Sequence, residues 1–215
     1  MALLAPSYIP VEAWRSVLPD YPWSDWNPYD SIGECDPMDE HALKLLTGRA
    51  ALAYAIACAE WVVFRLAPFM DDQRPFLFLE AAWAFEMSDR YAAPPESTEA
   101  EWKGPVRGAV DLALMTVLNA IYSLREDAVQ VDAAFVQRLA MHVLPQQEQF
   151  LRWRSPVLAR LEGHFPRQST RGPQYVPREV MDPATLIQDE VQLRLYVESY
   201  LRAIDTTRNV MLRRV

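Results

Sequence analysis

The sequence predicts an all-α protein, an irregular bundle of about six helices with proline-rich extended arms. Apolar residues recur at steps of three and four along most of the chain, as they do on the buried face of a helix. No stretch shows the alternation of a half-buried strand, and 6 glycines against 17 prolines disfavour a turn-rich β fold. With 51% hydrophobic residues among 215, the chain is able to bury one substantial core.

The clearest helix start lies at Asp36 and Pro37. An aspartate side chain accepts hydrogen bonds from the free amide groups of a first helical turn. A proline fits the first helical position because the N–H group that it lacks would have no partner within the helix. Small and apolar residues then recur at helical spacing, so we expect one helix over 37–66 and a second over 74–91. Further helices are expected from 104 to 124, from 132 to an interruption at Pro145, over an apolar stripe at 150–161 with a kink at Pro156, and from 185 or 189 to 204.

A single domain is predicted over 1–215. Residues 1–35 form an acidic, aromatic N-terminal arm, residues 36–162 the helical core, residues 163–184 an extended linker, and residues 185–215 the C-terminal helix and tail. The prolines of the first and third segments exclude long helices there, and we expect both segments to lie across the surface of the bundle.

Composition indicates a cytoplasmic protein. Two cysteines are too few for a disulfide framework, and the first residues lack the basic start of a secretory signal. The longest apolar run, 50–70, carries Glu60 and Arg65, so we interpret it as a buried helix and not as a membrane span.

The net charge of −8 is unevenly distributed. Residues 1–101 carry a net charge of −11, and residues 102–215 carry +3. The acidic part repels nucleic acid and anionic membrane and attracts a basic partner. We therefore expect a basic protein as the partner, with neither nucleic acid nor membrane binding.

The region 20–36 is the sharpest functional feature. It combines four aromatic residues with five carboxylates and has no lysine or arginine. Aromatic side chains dominate the energetics of protein interfaces, and carboxylates steer a cationic partner. The alternative is that the rings are packed on the bundle and only hold the arm in place. The predicted partner-binding residues are Asp20, Tyr21, Trp23, Asp25, Trp26, Tyr29, Asp30, Glu34 and Asp36.

Motifs for catalysis or cofactor binding are not recognisable. The sequence has no nucleophile elbow, no glycine-rich phosphate loop and no Glu-x-x-His pair, so we predict no catalytic residue, no metal and no cofactor. The acidic residues beside Cys35 and His41 are explained by the positive end of a helix dipole. Glu60, Glu80 and Glu86 lie within apolar helices, and they leave open an enzyme or ligand-binding protein with a carboxylate-lined pocket.

Two segments of the second half resemble parts of uncharacterised bacterial proteins of one kind. These segments are EWKGPVRG at 101–108 and YVPREVMDP at 175–183. The proteins they resemble are bacterial immunity proteins, small cytoplasmic inhibitors that protect a cell from its own secreted toxins. The resemblance assigns no site residue. It implies an inhibitor that covers the active site or another required surface of a toxin, and many such toxins are basic nucleases.

These observations together predict a non-enzymatic protein that binds a basic toxin through an acidic aromatic surface. Two alternatives remain open at this stage. One is the helical enzyme or ligand-binding protein, and the other is an adaptor or chaperone of a secretion system, which would present a hydrophobic groove instead of an acidic one.

Overall fold

A computed structural model describes residues 3–96, 103–168 and 175–215. The predicted all-α class is confirmed, because these ranges contain nine α-helices, two 3-10 turns and, in place of strands, two isolated β-bridges. The helices are α1 (Val11–Trp14), α2 (Pro28–Ile32), α3 (Pro37–Lys44), α4 (Gly48–Leu66), α5 (Arg74–Met87), α6 (Gly104–Ser123), α7 (Val129–Val143), α8 (Glu148–His164) and α9 (Glu190–Ala203); the 3-10 turns are Ala67–Phe69 and Arg178–Met181.

Helix α4 forms the centre of the bundle. Every side chain from Ala50 to Leu66 is buried, and α4 packs against α5, α6 and α7. Six alanines in this helix allow the backbones of its neighbours to approach closely. The hydroxyl of Tyr54 in α4 donates a 2.6 Å hydrogen bond to Gln137 of α7, which satisfies both polar groups inside the core.

A cluster of aromatic rings joins the outer elements to α4. Trp61 contacts Phe150 and Trp153 of α8 with ring centroids 5.3 and 5.6 Å apart. Tyr8 of the N-terminal arm stacks on Trp153 at 5.3 Å. The Trp153 indole also donates a 2.7 Å hydrogen bond to the carbonyl oxygen of Met181, so this one ring holds α8 and the segment 178–182 together.

The single helix predicted over 37–66 is wrong, because α3 and α4 are separate helices. Thr47 caps α4, its hydroxyl oxygen accepting a 3.2 Å hydrogen bond from the amide of Ala50. The Thr47 amide donates in turn to the carbonyl oxygen of Phe165, and Leu46 bridges to Pro166. The apolar period continues across this break, which is why periodicity alone concealed it.

Other helix boundaries also differ from the prediction. Helix α7 begins at Val129, and Asp132 accepts a 2.8 Å hydrogen bond from Ser123 instead of capping a helix. Helix α5 ends at Met87, short of the predicted end at 91. Asp189, one of the two predicted starts, caps α9 through the amide of Gln192.

Both proline-rich segments lie across the bundle where they are described. Leu3, Ile9 and Trp14 of the N-terminal arm are buried in the core, as are Val176 and Val180 of the later segment. Residues 97–102, which follow α5 in sequence, and residues 169–174, within the predicted linker 163–184, are outside the described residues.

One helical stretch in the described ranges, Gly48–Phe69, is long and apolar enough to cross a membrane. Its mean hydropathy is 1.6, yet 94% of the window is buried inside the protein. Burial of this kind agrees with a central core helix.

We expect Thr47→Ala to lower the free energy of unfolding by about 1 kcal/mol, because it removes the cap of α4. Urea unfolding followed by circular dichroism measures the change. Thr206→Ala, at an exposed position near the C-terminus, is the matched control and is expected to have no effect. Equal stabilities of the two variants would contradict the assigned role of Thr47.

Candidate functional site

Residues 20–36 are the acidic aromatic stretch at the end of the N-terminal arm, and this stretch is called the arm from here on. A buried arginine fixes its start. Arg65 is 1% exposed near the end of α4. Its guanidinium donates hydrogen bonds to the carbonyl oxygens of Val17 and Leu18, at 2.8 and 3.3 Å, and lies over the ring of Phe69. The chain therefore enters the arm from a defined position.

Tyr21 holds the arm between α6 and α7. Its hydroxyl donates a hydrogen bond to the carbonyl oxygen of Pro105, in the first turn of α6. Its ring meets His142 of α7 edge-on, with centroids 5.2 Å apart, and the His142 Nε2 lies 2.8 Å from the carbonyl oxygen of Pro22. Burial of the ring raises the pKa of Tyr21.

Trp23 and Asp25 attach the arm to the N-terminus of α6. The Trp23 ring lies so close to Gly108 that a β-carbon there would be 2.9 Å from Cζ2 of the ring. One carboxylate oxygen of Asp25 accepts hydrogen bonds from the amide of Gly104, at 2.6 Å, and from the Trp23 indole, at 2.9 Å. These bonds lower the pKa of Asp25, and the Lys103 ammonium adds to the effect.

Two aromatic side chains of the arm face solvent. Trp26 is 96% exposed, and Tyr29 is 56% exposed although its ring packs 5.1 Å from that of Phe135. Leu18 and Met38, on either side of the arm in sequence, are also more than two-thirds exposed. The arm therefore presents apolar surface that its own fold leaves uncovered.

The remaining carboxylates of the arm are exposed. No arginine or lysine in the described ranges forms an ion pair with Asp20, Asp30, Glu34 or Asp36. Asp36 caps α3 by accepting a 2.8 Å hydrogen bond from the amide of Met38, as predicted. The negative charge of the arm therefore faces water.

The nine predicted partner-binding residues divide into two groups. Tyr21 and Asp25 form hydrogen bonds to α6, and the Trp23 ring packs against Gly108 of the same helix. Six residues face solvent along the arm: Asp20, Trp26, Tyr29, Asp30, Glu34 and Asp36. Sequence reasoning missed Leu18 and Met38, whose apolar side chains are also exposed. Their proximity to the arm in sequence was the available signal.

The three carboxylates of the alternative prediction are each bonded within the protein. Glu60 and Glu86 are both fully buried. Glu60 forms an ion pair with Arg178 at 2.7 Å, and Glu86 forms one with Arg49 at 3.6 Å. Burial raises the pKa of both carboxyls, and their arginines oppose that shift. Glu80 accepts a 2.8 Å hydrogen bond from Asn209.

The acidic residues at the start of α3 have structural partners. Asp39 pairs with Arg154 and accepts a hydrogen bond from Gln137, which ties α3 to α7 and α8. Across the described parts of the chain, no group of three or more His, Cys, Asp or Glu side chains is arranged to hold a metal ion.

A cleft of about 710 Å³ lies away from the arm, between the end of α5 and α9. Apolar side chains of Met87, Leu193, Val197 and Leu201 line it. Two arginines and three carboxylates also line it: Arg90, Arg194, Asp89, Glu190 and Glu198. None of Glu60, Glu80 and Glu86 lines this cleft, so it is not the pocket that the alternative prediction built on those three residues.

Comparisons with protein-family models, with curated proteins and with solved structures found no match to this chain.

We expect Gly108→Ala to displace Trp23, because the added β-carbon would overlap the ring. Hydrogen exchange followed by mass spectrometry should show faster exchange in 20–27, while α4 stays protected. Gly163→Ala is the control, since no atom lies within 4 Å of a β-carbon there. Unchanged exchange in the arm of the Gly108 variant would contradict the proposed anchor.

Attachment of the arm to α6 should depend on acidity. The pKa of Asp25 in the folded protein is below its ordinary value of 3.8. The stabilisation that ionised Asp25 gives to the folded arm is therefore complete above pH 3.8, and it is lost as the pH falls through the lower pKa of the folded state. We expect amide exchange in the arm, corrected for intrinsic rates, to accelerate only below about pH 4. Asp25→Asn should remove this dependence; an unchanged pH profile in that variant would assign the transition to another group.

Proposed function

We propose that this protein binds a positively charged protein through the arm, and that it is an immunity protein which neutralises a bacterial toxin. The observation that carries the proposal is the 96% exposure of Trp26 on an arm whose neighbouring rings are anchored. The basic character of the partner follows from the charge of the arm, and the class of immunity protein follows from the resemblance of the segments at 101–108 and 175–183.

The exposure of the Trp26 indole supports a binding role, because the fold gains no stability from an indole that it leaves in water. Burying a large aromatic side chain contributes about 2–3 kcal/mol, and Trp23, three residues earlier, is packed on α6. Trp26 remains in solvent, and Tyr29, three residues later, is also mostly exposed. Tryptophan and tyrosine are the residues most enriched among those that dominate binding energy at protein interfaces.

The charge around Trp26 supports a cationic partner. Asp20, Asp30, Glu34 and Asp36 surround it in sequence and are exposed. Carboxylates at the edge of an aromatic surface accelerate association with a basic protein, and an indole face attracts the guanidinium of an arginine.

The anchoring contacts support binding with little loss of conformational entropy. Arg65, Tyr21 and Asp25 hold the arm in the unbound protein, so its backbone does not have to become ordered when a partner arrives. The bonded state of Glu60, Glu80 and Glu86 favours this role over acid–base catalysis at those residues.

The test is binding to candidate partners, namely the purified products of the open reading frames adjacent to this gene. We expect one basic polypeptide among them to bind, with affinity falling as salt rises from about 50 to 500 mM. Trp26→Ala should weaken the complex by about 2 kcal/mol or more, measured by calorimetry, with an unchanged melting temperature.

Tyr122→Ala is the matched control, because Tyr122 is 51% exposed on α6 and lies outside the arm. It should leave affinity unchanged. A complex that tolerates Trp26→Ala but is lost with the control variant would place the interface elsewhere. Absence of binding by every neighbouring product would count against the proposal as a whole.

A further inference from the structure

Helix α9 has one side packed on the bundle and another side in water. It packs against α5, and its buried side chains are Leu193 and Val197. Val191 and Leu195, one helical turn apart, are 62% and 59% exposed and lie roughly 160° around the helix axis from the buried pair. The fold therefore leaves an apolar strip of α9 uncovered.

Charged residues of alternating sign run along α9 beside this apolar strip. They recur at every fourth position: Glu190, Arg194, Glu198 and Arg202. A step of four residues turns by about 40°, so the four side chains form one slowly winding ridge, called the charged ridge below. All four are exposed, and none of them forms an ion pair or a side-chain hydrogen bond with a residue that the structure describes.

The order of charges on the charged ridge is complementary to its own reverse. When two copies of α9 lie antiparallel and are centred at Tyr196, close to the middle of the helix, Arg194 lies opposite Glu198 and Glu190 lies opposite Arg202. A two-fold axis repeats each of these contacts, so all four charges of each copy meet an opposite charge. A parallel pair in the same register would instead place like charges together, so the charges select the antiparallel orientation.

The surroundings of the charged ridge also favour a second copy of this chain. Residues 186–215 carry four acidic and five basic side chains, a net charge of +1, so the rest of the chain carries −9. Two acidic molecules repel one another least where they meet through a nearly neutral region. The charged ridge borders the open cleft beside α5, which Glu190, Arg194 and Glu198 line together with Leu201, so a second helix has room to approach.

We propose that two copies of this chain associate through α9, antiparallel about a two-fold axis level with Tyr196. Arg194 of each copy pairs with Glu198 of the other, and Val191 and Leu195 lose their contact with water. A 14-residue helix is about 21 Å long, which makes a small interface, so we expect a dissociation constant on the order of 10–100 µM. This surface shares no residue with the arm, and the inference does not depend on the proposed toxin binding.

The experiment is sedimentation equilibrium of the full chain over a concentration range of about 5–500 µM, which brackets the expected dissociation constant. The unmodified chain should pass from monomer to dimer. Arg194→Glu and Glu198→Arg each place like charges opposite one another twice in the two-fold pair, and we expect each to raise the dissociation constant by about tenfold or more. The double variant Arg194→Glu/Glu198→Arg exchanges the two charges and should restore the dimer.

A mixture of the two single variants gives the sharpest result. One chain is then acidic at both central positions, 194 and 198, and the other is basic at both, so every central contact between unlike chains is attractive. We expect a heterodimer at concentrations where neither variant dimerises alone, detected by sedimentation of one fluorescently labelled chain. A change of helix stability within either variant cannot produce this result. Arg152→Glu, at an exposed position on α8, changes the net charge as Arg194→Glu does and is the matched control that should dimerise normally.

The proposal is overturned if the unmodified chain stays monomeric throughout the range, or if its dimer tolerates both charge reversals. It is also overturned if the two single variants, each folded by circular dichroism, form no heterodimer when mixed. Trp26→Ala should dimerise as the unmodified chain does, so the outcome for α9 and the outcome for the toxin complex are read from separate variants.

Discussion

Two charged side chains on the most buried helix determine how the rest of the chain is arranged. Glu60 and Arg65 lie on α4 with no access to water, and an unpartnered charge at such a depth would be strongly destabilising. Glu60 accepts hydrogen bonds from Trp83 of α5 and, from outside the bundle, from Arg178 and Tyr8. Arg65 donates to the carbonyl oxygens of Val17 and Leu18, which also lie outside the bundle. The proline-rich segments are therefore structural parts of the core, because they carry groups that offset the cost of burying the two charges of α4.

This dependence explains which parts of the fold the sequence could predict. Local signals were sufficient for the class and for most helices, as at Asp36 and Asp189, where a capping side chain marks the first turn. The break before Thr47 was concealed because the residues on both sides continue one apolar period. The pairing of Glu60 with Arg178 spans 118 residues, and nothing in the local pattern of either residue identifies the other. The same holds for Glu86, whose partner Arg49 lies 37 residues earlier in another helix.

The candidate site was predictable as a region but not residue by residue. Composition alone singled out 20–36 as acidic and aromatic, yet Trp23 and Trp26 occupy opposite environments in nearly the same sequence context. The difference originates in α6, where Gly108 has no side chain and leaves space for one ring. Asp25 likewise looks like its acidic neighbours in the sequence, but the free amide of Gly104 converts it into a cap. Anchored and solvent-exposed residues therefore alternate along the arm. Telling them apart requires knowing which residues of the bundle each side chain packs against.

The contrast between the tryptophans also has an optical consequence. Among those in the described residues, Trp14, Trp61, Trp83 and Trp153 are buried, Trp23 is half-buried, and Trp26 alone is nearly bare. A collisional quencher such as iodide or acrylamide would reach that last indole far more readily than the others. Anything that covers Trp26 would protect its red-shifted emission from the quencher, so the unlabelled protein reports on the state of this one side chain.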